Sequence, residues 1–389
     1  LEFKAVPEGT RVPLRVPTFT IENTHPDFFW LTNYVETIIS ASIWQASTSA
    51  TIAHRLRTLL DDWAIKTGEP TEGVAFQGHD FSYRGLSSPE TAAMSGAGHL
   101  LSFSGTDNIA PLDWIDQNYG GDYLAASVPA TEHSVMCAGA AVLGEKELFR
   151  RIIELYPTGI TSIVSDTFDL WKVLTEFLPE LHDEVMARDG KVVIRPDSGN
   201  PVDILCGDNS PRPVPTNPEL YSRHIAMRKG VIELLWDEFG GTVNEAGYKV
   251  LDSHVGAIYG DSITYDRANE INQRLADKGF ASTNWVSGVG SYTYQLNTRD
   301  VFGSAIKATW AEVDGVGYDL QKDPITDDGL KKSAKGRLAV QKDEDGELYL
   351  IDQATPEQEA ASELKLIWKD GDFARRQTFV EIQEVLANN

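Results

Sequence analysis

The stretch Val192-Val193-Ile194-Arg195-Pro196-Asp197-Ser198-Gly199-Asn200-Pro201 decides the fold. Consecutive β-branched apolar residues read as a strand buried on both faces, and the polar tail punctuated by proline and glycine reads as the loop at its carboxyl end. Outward from it the same rhythm recurs. Val74-Ala75-Phe76 leads into His79-Asp80-Phe81-Ser82-Tyr83-Arg84-Gly85, Leu100-Leu101-Ser102-Phe103 into Gly105-Thr106-Asp107, and Tyr123-Leu124-Ala125 into Ser127 and on to Glu132-His133. Ile163-Val164 leads into Ser165-Asp166, Val255-Gly256-Ala257-Ile258 into Gly260-Asp261, and Trp285-Val286 into Gly288-Val289-Gly290-Ser291. Helical patterns lie between these runs: Ser87-Ser88-Pro89-Glu90 reads as a helix start, and residues 169–178 and 225–239 have helical periodicity. Alternating strands and helices predict a mainly parallel sheet, and polar residues at successive strand ends are what an α/β barrel gathers at its mouth. An open doubly wound sheet is the alternative.

Before and after this region the pattern changes. Residues 1–25, with Pro7, Gly9, Pro13 and Pro17, read as short antiparallel strands, followed by helical spacing over 29–39 and 56–63. Beyond Arg299 come Leu338-Ala339-Val340, Leu348-Tyr349-Leu350-Ile351 and the amphipathic stretch 379–386. The expected architecture is an irregular, TIM-like α/β barrel over 26–299, with a second β-rich α+β domain built from both chain ends, 1–25 and 300–389.

Composition narrows the function. Among 389 residues, 41% are hydrophobic and 24% charged, which excludes a disordered, fibrous or disulfide-scaffold protein. The net charge of −24 repels polyanions and disfavours nucleic acid and anionic membrane as partners. Cys137 and Cys206 have no metal or redox spacing, fit a reducing cytoplasm and read as small buried hydrophobes. No apolar run is long enough to span a membrane. The sequence starts without methionine at Leu1-Glu2-Phe3, so an upstream portion is expected.

Neither GxxxxGK[ST] nor HExxH is present, so chemistry must come from dispersed residues. Arg84, Arg195 and Arg299 flank strand ends, and Gly288-Val289-Gly290-Ser291 offers backbone N–H groups, together suggesting a polyanion pocket to which Lys307 and Lys322 add. Asp107, Asp166, Asp197 and Asp261 occupy comparable strand ends, where they hold Mg²⁺ or ribose hydroxyls, or simply cap helices. His133 stands at an expected helix start, where a phosphoryl group on its ring would be stabilised. Phe81 and Tyr83 offer a stacking face, or are core residues.

Several segments together resemble the nicotinamide phosphoribosyltransferase (type II phosphoribosyltransferase) family. They are Ala5-Val6-Pro7-Glu8-Gly9, Trp30-Leu31-Thr32-Asn33, His79 through Gly85, Gly105-Thr106-Asp107, Glu132-His133-Ser134, Ile194 through Pro201, Gly260-Asp261, Thr298-Arg299-Asp300 and Lys335-Gly336-Arg337-Leu338. The resemblance implies a transferase joining nicotinamide to 5-phosphoribosyl 1-pyrophosphate (PRPP) in NAD salvage, with Mg²⁺ and ATP, acting as a homodimer with active sites at the subunit interface. It implies that Phe81 stacks on the pyridine and that Asp107 accepts from the carboxamide. Arg84 and Arg195 would bind pyrophosphate or phosphate, and Asp197 with Asp166 the ribose and Mg²⁺. Gly260, Asp261, Gly290, Ser291 and Arg299 would cradle the 5′-phosphate, and His133 would be phosphorylated by ATP. Gly256 stands where better-known members carry arginine, which predicts more space beside the ring. A nicotinate-specific relative is the near alternative, disfavoured by the charge of Asp107. A barrel glycoside hydrolase and a non-catalytic scaffold are the alternatives from other classes.

Overall fold

Val192, Ile194, Val255, Ala257, Tyr259, Trp285 and Val289 are at most 2% exposed, so the strands read from the sequence are covered by helices on one face. They belong to a parallel six-stranded sheet in a computed structural model that describes residues 1–260, 262–326 and 332–388. The strands are β1 (Gly78–Asp80), β2 (Gly105–Thr106), β3 (Thr158–Val164), β4 (Asp189–Arg195), β5 (Val255–Tyr259) and β6 (Trp285–Val289). Their spatial order is β2-β1-β6-β5-β4-β3. The sheet is curled and mixed with separate antiparallel sheets elsewhere in the chain. Both its edge strands contact one further segment: Ala126 bridges Gly105, and Ala130 bridges Ser162, each in parallel sense.

Covering the sheet, α1 (Leu31–Lys66) carries Leu56, Leu59, Leu60 and Trp63 at i, i+3, i+4 and i+7, all buried, and is followed by Gly68 at φ +75°. Burying each such side chain contributes roughly 2 kcal/mol. α2 (Pro89–Leu100) begins with a capping box between Ser88 and Thr91, so the cap is one residue later than Ser87 and is closed by threonine rather than by glutamate. α3 (His133–Leu143) and α4 (Glu145–Leu155) meet at Gly144, φ +81°. The expected helix over 225–239 is two helices, Pro218–Lys229 and Val231–Phe239, broken at Gly230 with φ +81°.

Other expectations are corrected here. Val74-Ala75-Phe76 lies in a 3₁₀ helix, Glu72–Phe76, and the strand starts at Gly78. Leu100 ends α2, and the strand after it is only the two residues of β2. Short apolar runs do not by themselves distinguish strand from helix end. Cys206 is buried, its thiol pushed up to about 12 mainly by burial, but Cys137 is exposed on α3 and is not a core residue.

Contacts divide the chain into a unit of residues 49–113 and 124–296, which holds the parallel sheet, and a unit of residues 1–48, 114–123 and 297–389. The second thus takes in 26–48 and 114–123, which the sequence placed with the strands. It contains an antiparallel sheet in which Glu2–Ala5 lies between Phe19–Glu22 and Lys365–Lys369, and a small core of Val6, Val340, Leu348 and Leu364. Trp310–Val313 pairs with Val316–Asp319, and Ala339–Lys342 with Leu348–Ile351. Among the described residues no helix is long and apolar enough to cross a membrane.

Candidate active site

Parallel strands place residues two apart on one face, so Lys191, Val193 and Arg195 of β4 face opposite to Val192 and Ile194. Arg195, at the strand's end, is 4% exposed, and its guanidinium lies 4.9 Å from the centre of the Phe81 ring. Phe81 follows β1 and is fixed there by its N–H donating to the Val289 carbonyl at 2.9 Å. A Cβ on Gly288 would lie 2.7 Å from the Phe81 ring, and one on Gly260 would lie 2.6 Å from Asp197 Oδ1 and 3.4 Å from that ring. Glycine at both positions lets β5 and β6 approach the aromatic face. Arg195 also donates to Asp197 at 3.3 and 3.4 Å and faces Glu132 at 3.9 Å. Phe81, Arg195, Asp197, Gly260 and Gly288, scattered over the sequence, are therefore one cluster.

Asp107, just past β2, completes it. Its Oδ1 accepts from His79 Nε2 at 2.8 Å and from the Ser127 hydroxyl. Burial disfavours its charge, but these hydrogen bonds, with the positive Arg195 nearby, hold its carboxyl below the ordinary aspartate range. His79 lies on β1 with its ring 4.9 Å from that of Phe81. Neither His79 nor Ser127 was singled out from the sequence; the signal for His79 was its place two residues before Phe81 on an alternating strand, and Ser127 had none beyond its place after an apolar run.

A second constellation joins the ends of β3 and β4. Asp166 accepts at Oδ1 from His133 Nε2 at 3.1 Å, and at Oδ2 from the backbone N–H groups of Asp197 at 2.9 Å and Ser198 at 2.7 Å. Burial opposes its charge, yet the donors from Ser198, Asp197 and His133 outweigh that and keep its carboxyl below the usual range. Asp166 is not a helix cap: Asp169 caps the following helix, accepting from the N–H groups of Trp171 and Lys172. His133 is the first residue of α3, preceded by Glu132, whose side chain makes no capping bond. With Nε2 given to an ionised carboxylate, Nδ1 is the ring nitrogen left to react.

The remaining expected residues are placed less tightly. Arg84 is exposed in the 3₁₀ turn Tyr83–Gly85. Ser291 Oγ packs on Gly85, and Gly290, just before the short helix Ser291–Tyr294, has among the described residues no atom beyond its chain neighbours within 4 Å of a Cβ position. Asp261 lies outside the described residues. Arg299, Lys307 and Lys322 belong to the other unit, where Arg299 pairs with Asp300 at 3.3 Å. The space left by Gly256 is not open, because Lys191 Cδ passes 3.2 Å from its Cβ position. The residues do not fit a resident Mg²⁺ site. Asp166 is committed to its donors, Asp197 faces a buried guanidinium, and among the described residues no group of three or more His, Cys, Asp or Glu is placed to hold an ion.

The profile of the nicotinate phosphoribosyltransferase (NAPRTase) family matches residues 76–368. A nicotinamide phosphoribosyltransferase of Acinetobacter baylyi is 51% identical, over 100% of this chain and 76% of its own length. Proteins of the same name are 41% identical in Mycoplasma pneumoniae, over 83% of this chain and 68% of theirs, and 33% identical in Xanthomonas campestris pv. campestris, over 98% and 78%. Phe81, Arg84, Asp107, His133, Asp166, Arg195 and Asp197 thus lie within the matched region, and the chain belongs to the nicotinate phosphoribosyltransferase family.

Proposed function

We propose that this chain is a phosphoribosyltransferase acting on nicotinamide: nicotinamide and PRPP give nicotinamide mononucleotide and pyrophosphate. The observation that carries the choice of base is Asp107, an acceptor kept ionised within the Phe81–His79–Arg195 cluster. Its free oxygen accepts from the carboxamide NH₂ of a ring stacked on Phe81, whereas the carboxylate of nicotinate would meet like charge.

In the reaction the pyridine nitrogen supplies the electron pair that forms the new bond to ribose C1, while the C1–O bond breaks and pyrophosphate leaves with its pair. Positive charge grows on the ribosyl group and negative charge on the leaving oxygens. Arg195 and Arg84 stabilise the second, Asp197 the first, and the work is electrostatic and positional. Mg²⁺ enters as the PRPP complex, held chiefly by substrate oxygens. Gly260, Asp261, Gly290 and Ser291 are proposed to hold the 5′-phosphate, and Arg299 is proposed separately as a phosphate-binding side chain.

ATP drives the reaction by transferring its γ-phosphoryl group to His133 Nδ1, leaving ADP; Asp166 on Nε2 fixes the ring and balances its charge, and the start of α3 favours the phosphoryl anion. Incubation with radiolabelled ATP should give an acid-labile label that His133→Ala abolishes and Asp166→Asn reduces several-fold; a label that persists in His133→Ala refutes the assignment.

The curled sheet is proposed to close through segment 126–131 into the irregular α/β barrel, supported by its bridges to both edge strands. A homodimer is supported by α3, the helix that begins at His133, which leaves Val135 51%, Val142 82% and Leu143 49% exposed along its length. Two unbridged cysteines support a cytoplasmic location. The deciding assay supplies PRPP, Mg²⁺ and either base, with mass detection of the mononucleotide. Nicotinamide should turn over at least tenfold faster than nicotinate; faster nicotinate turnover removes this reading.

A further inference from the structure

We propose that His79 and Ser127 are positioning residues which, by both donating to the same oxygen of Asp107, present its other oxygen to the base and thereby set the preference for a carboxamide over a carboxylate. This rests on the reading of Asp107 as the carboxamide acceptor.

An aspartate side chain has two soft torsions, and a carboxylate free to turn offers a base no fixed direction. Here the backbone of Asp107 is tied by its N–H to the Asp80 carbonyl at 3.0 Å, and Oδ1 is held by two donors from different segments, one on β1 and one on the segment that contacts both sheet edges. Among the described residues Oδ2 takes no hydrogen bond, and the side chain is 35% exposed, so this oxygen is the one a ligand reaches. A half-engaged carboxylate of this kind has one direction of acceptance left.

The donors are themselves constrained. His79 is 9% exposed, its ring wedged between Phe81 and Gly105, where a Cβ would lie 2.7 Å from Nδ1. Facing an ionised carboxylate, Nε2 carries the ring proton. Ser127 has a single hydroxyl proton, and its other acceptor, the Val128 carbonyl, is at 3.5 Å, so Asp107 holds it. A base bearing a carboxylate finds neither donor available, since both protons are already given to Asp107. A base bearing an amide needs only the acceptor.

The test is steady-state kinetics of the full chain and its Ser127→Ala, His79→Leu and His79→Gln variants with nicotinamide, nicotinate and PRPP varied separately. Ser127→Ala and His79→Leu should raise KM for nicotinamide about tenfold and lower the nicotinamide-to-nicotinate ratio of kcat/KM by a similar factor, with kcat and KM for PRPP within about twofold. His79→Gln, whose amide nitrogen reaches near the Nε2 position, should recover most of the difference. Ser127 is exposed, so its alanine variant folds and decides the matter even where His79→Leu does not. Unchanged KM for nicotinamide in Ser127→Ala, or parallel loss of kcat and PRPP binding in every variant, overturns the proposal alone. A wild-type chain that prefers nicotinate removes the reading of the site and the proposal with it.

Discussion

Replacing Arg195 with methionine is expected to lower kcat/KM for nicotinamide by about a thousandfold, the order lost with a single donor to developing charge. The guanidinium is 4% exposed and meets the Phe81 ring at 4.9 Å, Asp197 at 3.3 Å and Glu132 at 3.9 Å. Methionine keeps the apolar stem but removes the guanidinium from the Phe81 ring and leaves the Asp197 carboxylate without its counter-charge. Losing one member of such a pair costs about 3 kcal/mol or somewhat less where water reaches the survivor, so the melting temperature should fall too. Arg195→Lys separates charge from shape. A lysine restores the charge without the planar fork that grips two oxygens at once, and it should regain less than a tenth of the lost activity. Thermal unfolding beside kinetics with PRPP and nicotinamide checks both, and an Arg195→Met enzyme keeping more than a tenth of wild-type kcat/KM would sink the role given to this residue.

That Arg195 would stand at the end of a buried strand was legible because the strand announces itself. Val192 and Ile194 are buried on the helix side and the residue after Ile194 ends the apolar run, so a charged residue there had to face the mouth of the sheet. The placements of Asp107 and His133 were legible for the same reason, one just past an apolar run and the other at a helix start. What the sequence did not carry was partnership. That Arg195 lies over Phe81, that Gly260 opposes Asp197, and that His79 and Ser127 share one oxygen of Asp107 depend on register between strands far apart in the chain, and register leaves no local mark. The misread segments fail on length. Val74–Phe76 and Leu100–Phe103 are apolar runs too short to show a period, and β2 is too short to announce itself. Asp166 shows a third kind of limit. Its strand-end position suited a helix cap or a metal ligand, and only the converging N–H groups of Asp197 and Ser198 reveal an anchor tying the β4 loop to His133.

Gly288→Ala should lower kcat/KM for nicotinamide about a hundredfold and lower the melting temperature as well, because the added methyl meets both the Phe81 ring and the backbone of Gly260. Gly288 is not among the residues at positive φ, so alanine is sterically allowed by its own chain. The new methyl would nevertheless lie 2.6 Å from Gly260 Cα and 2.7 and 2.8 Å from two atoms of the Phe81 ring. The backbone atom belongs to the adjoining strand segment, so the strand must shift locally and the ring must give way as well. It cannot do so freely, since Arg195 and His79 pack on it at 4.9 Å each, and a swing of the ring disturbs the guanidinium and the donor to Asp107 together. Displacement of a reacting partner by about 1 Å is enough for a loss of this order. Gly290→Ala is the matched comparison: among the described residues no atom beyond its chain neighbours lies within 4 Å of its Cβ position, so its effect should be confined to KM for PRPP, through the proposed 5′-phosphate cradle. Kinetics with both substrates varied, together with thermal unfolding, distinguish the outcomes. If Gly288→Ala binds nicotinamide as the wild type does, Phe81 is not the face on which the ring stacks.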